Sequence, residues 1–215
     1  MTSDFHGSVE AARKTASKAK SVGAAIIVAC GDITHFGSVK DAEGILSPLI
    51  ASGIPTLYVP GNCDPPELAE THIAGAVHLH GTCVSQDSVS FLGLGGAPAS
   101  PFRTLFELTE SEIMGLLNGA LGQCSRNKRF IVVSHATPKD TRVDLTFSGI
   151  HAGSASLRRF IEENKPNAVF CGHIHEARAI DYIGETVLVN PGPARHNSCA
   201  VADLNDKIDV ALDSL

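Results

Sequence analysis

Residues 25–32 read Ala-Ile-Ile-Val-Ala-Cys-Gly-Asp, six apolar residues followed by a glycine and an aspartate. An unbroken apolar run of this length is typical of a strand that is covered on both faces, as in a parallel sheet between helices. Helical patterns flank the run, at residues 9–22, which end at Gly23, and at residues 39–50. A second apolar run follows at residues 56–59. This part of the chain therefore predicts an α/β fold.

The rest of the chain continues the alternation and then changes to strands. Further strands are predicted at residues 77–79, 89–92, 130–133 and 168–171. Thr109 and Glu112 form a capping box that predicts a helix to about Leu121, and residues 155–164 predict another. Four more strands are predicted at residues 179–183, 186–189, 199–204 and 208–212, with turns at Gly184-Glu185 and Asn205-Asp206. We expect two face-to-face mixed β-sheets flanked by helices, in a single domain over residues 1–215.

The composition limits the classes of protein that the chain can belong to. Its 215 residues are 43% hydrophobic and 19% charged, which suits one folded core rather than a disordered chain. Lys and Arg number 17 against 23 Asp and Glu, so stable binding to nucleic acid is not expected. Neither an apolar run of membrane-spanning length nor a secretory signal pattern occurs. A soluble cytoplasmic protein without membrane partners is therefore expected.

The six cysteines show no C-x-x-C pair and no dense spacing. A disulfide scaffold and a zinc ribbon are therefore not expected, and most of the cysteines are predicted to be small buried residues in strands. A single structural zinc is also disfavoured, since such sites have four ligands and are usually rich in thiolates.

Polar side chains that could bind a ligand follow the predicted strands at their carboxyl ends. They are Asp32, the Asn62-Cys63-Asp64 run, His135, and the His173-Ile174-His175 run, with Asp4 and His6 at the start of the chain. Open α/β sheets place their ligands at this edge. Residues two apart in an extended chain project to the same side, so Asp4 with His6 can aim two donors into one cavity. His173 with His175 can do the same.

Seven of these side chains are oxygen or nitrogen donors: Asp4, His6, Asp32, Asn62, His135, His173 and His175. Such donors suit divalent Mn, Fe, Co, Ni or Zn. Seven are too many for one ion, whereas two ions about 3.5–4 Å apart would use them all. Asp32 is the predicted bridging ligand, because a carboxylate has two oxygens and this one lies between the other groups.

In this order, the motifs D-x-H, G-D, G-N-x-D, S-H and G-H-I-H resemble those of the calcineurin-like metallophosphoesterase family, especially its small archaeal and bacterial members. The resemblance runs from Asp4 to about Arg195. It implies two β-sheets flanked by helices, with a dimetal site at the strand ends. It also implies one ion held by Asp4, His6, Asp32 and His175, and a second held by Asp32, Asn62, His135 and His173. The implied reaction is attack of a metal-bridging hydroxide on a small phosphomonoester or phosphodiester.

This chain departs from the resemblance at the position of the general acid. Many relatives have a histidine after the asparagine, where this chain has Cys63. Cys63 and Asp64 are the predicted catalytic residues, with Asp64 orienting its neighbours. His35 and His151 are alternative proton donors, and Asn62 and His151 are candidate substrate contacts.

The amino-terminal strand is short compared with the family. Only Met1-Thr2-Ser3 precedes Asp4, so we expect a truncated first strand and a slot in the sheet core. The first metal site is therefore predicted to be emptier or more mobile than the second.

Other histidines and one arginine are predicted to lie outside the site. His72, His78 and His80 are expected at the surface or in turns, and Arg195 and His196 in a solvated loop. A rival function is an interaction module that keeps the fold but has little or no turnover. The sequence leaves open the physiological substrate, the metal and the oligomeric state.

Overall fold

The computed structural model describes residues 1–125, 129–205 and 207–215. Within them the α-helices are α1 Val9–Ser21, α2 Val39–Ile50, α3 Glu110–Leu121 and α4 Ala155–Asn164, with short 3-10 helices at Pro66–Ala69 and Ala194–His196. The strands are β1 Ile27–Cys30, β2 Thr56–Val59, β3 Ala76–His78, β4 Cys83–Gln86, β5 Val89–Leu94, β6 Ala97–Pro98, β7 Glu107–Leu108, β8 Arg129–Ser134, β9 Ala168–Phe170, β10 Ala179–Ile183, β11 Thr186–Asn190, β12 Ser198–Asp203 and β13 Asp209–Ser214. Of the predicted turn at 205–206, Asp206 lies outside the described residues.

The strands form two main sheets. The first sheet is parallel, in the order β1-β2-β3, and the second has the order β10-β11-β9-β8-β5-β4. In the second sheet β11, β9, β8 and β5 are parallel, while the edge strands β10 and β4 are antiparallel. A hairpin of β12 and β13 and a short parallel pair of β6 and β7 complete the strands.

The two sheets pack face to face because side chains alternate along each strand. Val28 and Cys30 of β1 point inward and pack in one buried cluster with Ile131 of the second sheet. Ile27 and Ala29 point outward and are covered by α1 and α2. Helices α3 and α4 cover the outer face of the second sheet in the same way. The predicted fold class is thus confirmed.

Hydrogen bonds at the helix starts explain why the helices begin where the sequence predicts. Thr109 accepts the Glu112 N–H while the Glu112 carboxylate accepts from Thr109, which is the predicted capping box of α3. Ser38 and Asp41 form a second capping box at the start of α2. Helices α2 and α4 have the predicted bounds, and α1 ends one residue early, at Ser21.

Edge strands account for most of the differences from the prediction. Strand β4 was not expected, and neither were β6 and β7, which have two residues each. Strand β3 begins one residue earlier than predicted. Such short or half-exposed segments lack a long apolar pattern, because an edge strand buries little of its surface.

The amino-terminal segment lies between β1 and β12. Thr2 pairs with Ala29 of β1, and the Met1 ammonium donates to the Ala200 carbonyl of β12 at 2.7 Å. Beyond Met1, a cavity of about 620 Å³ separates residues 26–28 from residues 199–205.

Two of the six cysteines form a disulfide, which the sequence did not predict. Cys83 of β4 is bonded to Cys124 after α3, with their Cα atoms 5.3 Å apart. The pairing has no local motif, since the two residues are 41 positions apart. Cys30, Cys63 and Cys171 are free and buried, as is Cys199, in agreement with the expectation for most cysteines. Among the described helices, none has the length and apolarity needed to cross a membrane.

Candidate metal centre

The predicted donors meet at one end of the sandwich, where strands of both sheets end. The loops after β1 and β2 bring Asp32 and Asn62 from the first sheet. The loops after β8 and β9 bring His135, His173 and His175 from the second. Asp4 and His6 reach the same place from the amino-terminal segment, and contacts described below connect all seven.

Asp4, His6 and His175 form one compact group. The Nε2 atoms of His6 and His175 are 3.1 Å apart, and His175 Nε2 is 3.2 Å from Asp4 Oδ1. His6 Nε2 lies 3.9 Å from the same carboxylate oxygen. Two ligands that are each 2.0–2.2 Å from one ion lie about 3.0–3.5 Å apart. The three donors therefore fit a single divalent ion.

Asp32 lies between this group and a second one. Its Oδ2 is 3.5 Å from His6 Nε2, and its Oδ1 is 3.4 Å from His135 Nε2. Oδ1 also accepts the backbone N–H of Cys63 at 2.8 Å, which fixes the carboxylate. The side chain thus occupies the position that a carboxylate bridging two ions would take.

The second group centres on His135. Its Nδ1 is 2.8 Å from the Cys30 carbonyl, which can only accept, so Nδ1 carries a hydrogen and Nε2 of the neutral ring is a lone-pair donor. That nitrogen faces Asn62 Oδ1 at 2.8 Å and the Asp32 carboxylate. Asp4 also lies within reach of one ion shared with Asp32 and His135. When the ring is neutral, several lone pairs converge here without a hydrogen between them, an arrangement that a cation would satisfy. Burial alone would lower the pKa of His135, but the charges of Asp32 and Asp4 raise it above its ordinary value.

His173 lies beside His135 but is less well placed. The two ring centroids are 5.1 Å apart, and the His173 backbone N–H donates to Asp4 Oδ2 at 3.3 Å. Among the described residues, the compact groups of possible ligands do not include His173. They do include a third group, of His6, His35 and Cys63, which the sequence analysis did not treat as a metal group.

Burial and mutual charge shift the pKa values of these groups. Burial raises the pKa of Asp32 to about 6, partly offset by the charge of His135. Burial alone would also raise the pKa of Asp4, but the hydrogen bond from His175 lowers it below its ordinary value. Burial lowers the pKa of His6 and of His173 to about 3. Both imidazoles are therefore neutral at pH 7, the state in which they can bind a metal.

The backbone at the site is held in sparsely populated conformations. The φ angles of Asp4, His6, Asp32 and His173 are 58°, 45°, 49° and 66°. Positive φ is uncommon outside glycine, and such residues cluster at functional sites. Gly31 also has positive φ, and a Cβ there would come within 2.6 Å of His135 Nδ1. Glycine is required at that position because the imidazole packs directly on its backbone.

Hydrogen bonds hold the amino-terminal segment in this conformation. The backbone N–H of Asp4 donates to the Gly31 carbonyl at 2.9 Å, and that of His6 to the Asp32 carbonyl at 2.8 Å. Asp4 is fully buried. These contacts tie the segment to the loop that carries Asp32. They favour an ordered position for Asp4 and His6, whereas the sequence predicts a more mobile first site; metal occupancy of that site stays a prediction.

Cys63 and Asp64 are both buried. Burial raises the pKa of the Cys63 thiol well above its usual range, and Asn62 Nδ2 lies 3.7 Å from its sulfur. The Asp64 carboxylate accepts the backbone N–H groups of Ile33, Thr34 and Gly61 at 3.0, 2.7 and 2.7 Å. Asp64 thus joins the two loops that carry Asp32 and Asn62, and its side chain is not exposed to a substrate.

The two alternative proton donors each contact another titratable side chain. His35 Nδ1 is 3.3 Å from His6 Nδ1. His151 Nδ1 is 2.6 Å from the buried carboxylate of Asp144, a partner that the sequence analysis missed. The sequence gives little indication of this pair, because Asp144 lies seven residues before His151 and belongs to no recognisable motif.

Two residues make contacts that the sequence did not predict. Arg195, expected in a solvated loop, has a guanidinium nitrogen 3.3 Å from His175 Nδ1. The Asn190-Pro191-Gly192-Pro193 stretch directly before it was the available signal. His80, expected at the surface or in a turn, pairs with Gly93, and its Nδ1 accepts the Gly95 N–H at 2.8 Å.

Comparison with known proteins agrees with the resemblance. The family model described as the calcineurin-like phosphoesterase superfamily domain matches residues 1–207. An uncharacterized protein of Methanocaldococcus jannaschii is 38% identical over 172 residues, which cover 78% of this chain and 77% of that protein. A solved structure from Thermus thermophilus is similar with a TM-score of 0.76 at 20% identity, over 98% of this chain and 96% of the other. A dimetal phosphatase from Danio rerio is similar with a TM-score of 0.70 at 13% identity, over 98% and 87%. At these identities the two structures establish the fold.

Proposed function

Because the chain belongs to the calcineurin-like phosphoesterase superfamily, we propose that it is a dimetal-dependent phosphoesterase that hydrolyses small phosphomonoesters or phosphodiesters. The observation that carries the proposal is the position of Asp32, whose two oxygens face His6 on one side and His135 on the other. A buried carboxylate between two groups of lone-pair donors is unfavourable unless a cation lies between them. The family typically binds divalent metals, and the chain has compact groups of possible ligands.

The ligand sets follow from these contacts. Asp4, His6, Asp32 and His175 would hold one ion, and Asp32, Asn62, His135 and His173 the other. Their oxygen and nitrogen atoms fit Mn, Fe, Co, Ni or Zn. When bound, the ions would lower the pKa of a water and neutralise charge on the phosphoryl oxygens.

The protein's own residues would position the phosphoryl group. Asn62 directs its Oδ1 to His135, and its Nδ2, which lies 3.7 Å from Cys63 Sγ, has a second hydrogen that could be donated to a phosphoryl oxygen. The Arg195 guanidinium beside His175 would add positive charge at the same face. Asp64 would keep the Asp32 and Asn62 loops in register through its backbone contacts.

One observation favours the alternative function, an interaction module without turnover. Cys63 stands where a proton donor is expected, but its thiol is buried and its pKa is raised by that burial. Such a thiol is a weak acid catalyst. The alternative predicts a chain that binds metal and still fails to hydrolyse esters.

A metal-reconstitution assay tests the proposal. Protein stripped with chelator is given Mn, Ni or Zn, and hydrolysis of 4-nitrophenyl phosphate and bis(4-nitrophenyl) phosphate is followed, with metal content measured by elemental analysis. We expect about two ions per chain and turnover that Asp32→Ala and His135→Ala each lower more than about 100-fold. His72→Ala, at an exposed histidine, is the matched control and should change neither quantity. Binding of two ions without turnover of any ester would support the interaction module instead.

A further inference from the structure

A histidine and a buried aspartate form a close pair outside the proposed metal ligands. They lie on a hairpin of residues 143–152, called here the His151 hairpin, which follows β8. Leu145 pairs with His151 across it, and the Thr146 N–H donates to the Ile150 carbonyl at 3.0 Å to close its turn. The proposed metal centre does not use this pair.

The Asp144 carboxylate is fixed from several directions. It is fully buried and accepts the backbone N–H groups of Thr141, Asp140 and Gly153 at 2.8, 3.1 and 3.1 Å. Its Oδ1 is also 2.6 Å from His151 Nδ1. A carboxylate held by three backbone donors cannot turn away, so it sets the orientation of the imidazole.

His151 keeps its other nitrogen free. Its side chain is 35% exposed, and within the part of the chain that the structure describes Nε2 has no hydrogen-bond partner. An ionised Asp144 carboxylate can only accept a hydrogen bond, so His151 Nδ1 carries the hydrogen that it accepts. The other ring nitrogen, Nε2, points away from the carboxylate. The free nitrogen is thus available to a bound molecule.

Two contacts attach the His151 hairpin to the loop that carries His173 and His175. At the base of the hairpin, the Asn190 side-chain amide donates to the Ile174 carbonyl at 2.8 Å and shares its other hydrogen between the carbonyls of Val143 at 3.3 Å and Gly172 at 3.4 Å. At the tip, the Phe147 N–H donates to the Glu176 carboxylate at 3.3 Å. These contacts connect the His151 hairpin, at its base and at its tip, to the segment that carries His173 and His175.

The residues first considered as acids are poorly exposed by comparison. Cys63 is 7% exposed and Asp64 is fully buried, whereas the His151 side chain is 35% exposed and is oriented by Asp144. General acids are most often histidines within reach of the leaving atom.

We propose that His151, oriented by Asp144, is the proton donor to the leaving oxygen of the substrate ester, an inference that rests on the proposed phosphoesterase function. As the oxygen of the attacking water bonds to phosphorus, the bond from phosphorus to the leaving oxygen breaks. This step starts from the imidazolium form of His151, in which both ring nitrogens carry a hydrogen. The Nε2 proton passes to the leaving oxygen, which leaves as an alcohol, and the neutral ring keeps its hydrogen on Nδ1, toward Asp144. The proton lost by the attacking water goes to solvent, and solvent returns one to Nε2. His151 is then the catalytic residue and Asp144 a positioning residue.

Leaving-group dependence tests the proposal. The metal-loaded wild type, His151→Asn, Asp144→Asn and Phe147→Ala are assayed on 4-nitrophenyl, phenyl and alkyl phosphate esters. General acid catalysis contributes about 10²–10⁴-fold, so His151→Asn should lose that much kcat on the alkyl ester and less than about tenfold on the 4-nitrophenyl ester, whose leaving group needs no proton. KM should change little. Phe147→Ala, at the exposed tip of the same hairpin, should leave this dependence unchanged.

A spectroscopic measurement separates positioning from folding. In ¹⁵N NMR of the wild type, the hydrogen of neutral His151 should reside on Nδ1, and Asp144→Asn should shift it toward Nε2 while lowering kcat on the alkyl ester. Equal losses of His151→Asn on all esters, or no loss, would overturn the inference and leave the proposed function standing. Absence of turnover by the wild type with every metal would overturn both.

Discussion

Individual residues at the strand ends are held at a cost in stability. Asp4, His6, Asp32 and His173 all have positive φ, and two of them are buried carboxylates. Each such backbone costs on the order of 1 kcal/mol or more. Since stability of a domain is small in total, a cluster of strained and charged residues is expected only where function requires it. Removing one charge should therefore stabilise the metal-free protein.

Replacing Asp32 by Asn tests this directly. Burial raises the pKa of Asp32 from 3.8 to about 6, so the folded state holds a proton more tightly than the unfolded state. The stabilisation from this group is complete below pH 3.8 and is lost as the pH rises through about 6. At pH 8 without metal, Asp32→Asn should raise the free energy of unfolding by about 1–3 kcal/mol, and at pH 4 by much less. Urea unfolding in chelator at both pH values measures it.

The control for this experiment is Asp209→Asn, at an exposed aspartate. It should change the free energy of unfolding little at either pH. In saturating Mn the wild type should have the higher free energy of unfolding, because the Asp32→Asn variant loses a proposed metal ligand. A loss of stability of metal-free Asp32→Asn at pH 8 would show that the buried charge is not the unfavourable element.

Asp64 should behave in the opposite way. Its carboxylate is the partner of three buried N–H groups, those of Ile33, Thr34 and Gly61. Asp64→Ala leaves them unpaired and should cost about 3 kcal/mol or more. Asp64→Asn keeps one accepting oxygen and should cost about half as much. Thermal and urea unfolding measure both, with Asp209→Ala as control, and equal effects of Asp64→Ala and its control would contradict the structural role.

The sequence indicated which proposed ligand residues meet better than it indicated their partners. Asp32, Asn62 and His135 follow apolar strands, so their meeting is a consequence of strand direction that a pattern can reveal. The contacts of Asp144 and Arg195 depend instead on how two loops turn back on the sheet. Loop conformation is set by many distant contacts, and local sequence does not specify it.

At the scale of helices and strands, burial separates what was predictable from what was not. The strands β1, β2 and β9 are buried along their whole length and were predicted to within two residues. Strand β4 is half-exposed at the sheet edge, so its sequence has no long apolar pattern. It is held in the sheet by pairing with β5. The disulfide supplies one such neighbour contact, because it joins β4 to the end of α3.

The Cys83–Cys124 disulfide should stabilise this edge. It closes a segment of 41 positions, for which loss of chain entropy in the unfolded state gives about 4 kcal/mol. Engineered and native bonds commonly give about 2–4 kcal/mol. Reductant should lower the free energy of unfolding of the oxidised wild type, measured by urea, by about 2–4 kcal/mol. It should leave that of the Cys83→Ser/Cys124→Ser double variant unchanged. If reductant has no effect on the wild type, the disulfide does not contribute to stability.

At the scale of the whole molecule, the proposed centre joins parts that are otherwise separate in the chain. The first sheet contributes Asp32 and Asn62, the second contributes His135, His173 and His175, and the amino-terminal segment contributes Asp4 and His6. The segment reaches the centre along β1 and borders the cavity of about 620 Å³. Ions bound there would therefore cross-link the two sheets and the segment at one end of the sandwich.

Binding of divalent metal should stabilise the whole fold and not only the loops. A ligand that binds only the folded state stabilises it by about 2.7 kcal/mol at 100 times its dissociation constant. We expect Mn to raise the urea midpoint of the wild type accordingly, and chelator to reverse the change. Hydrogen exchange should slow at the carboxyl ends of β1 and β8 together, because one centre holds both sheets.

Variants of the two sheets decide whether that cross-link exists. Asp32→Ala on the first sheet and His135→Ala on the second should each abolish the metal-induced protection in both sheets, since either loss opens the bridge. His196→Ala, at an exposed histidine outside the ligand sets, should leave it intact. If Asp32→Ala removed protection from β1 while β8 kept it, the ions would be bound by each sheet separately. A shared dinuclear centre, on which the phosphoesterase proposal depends, would then be wrong.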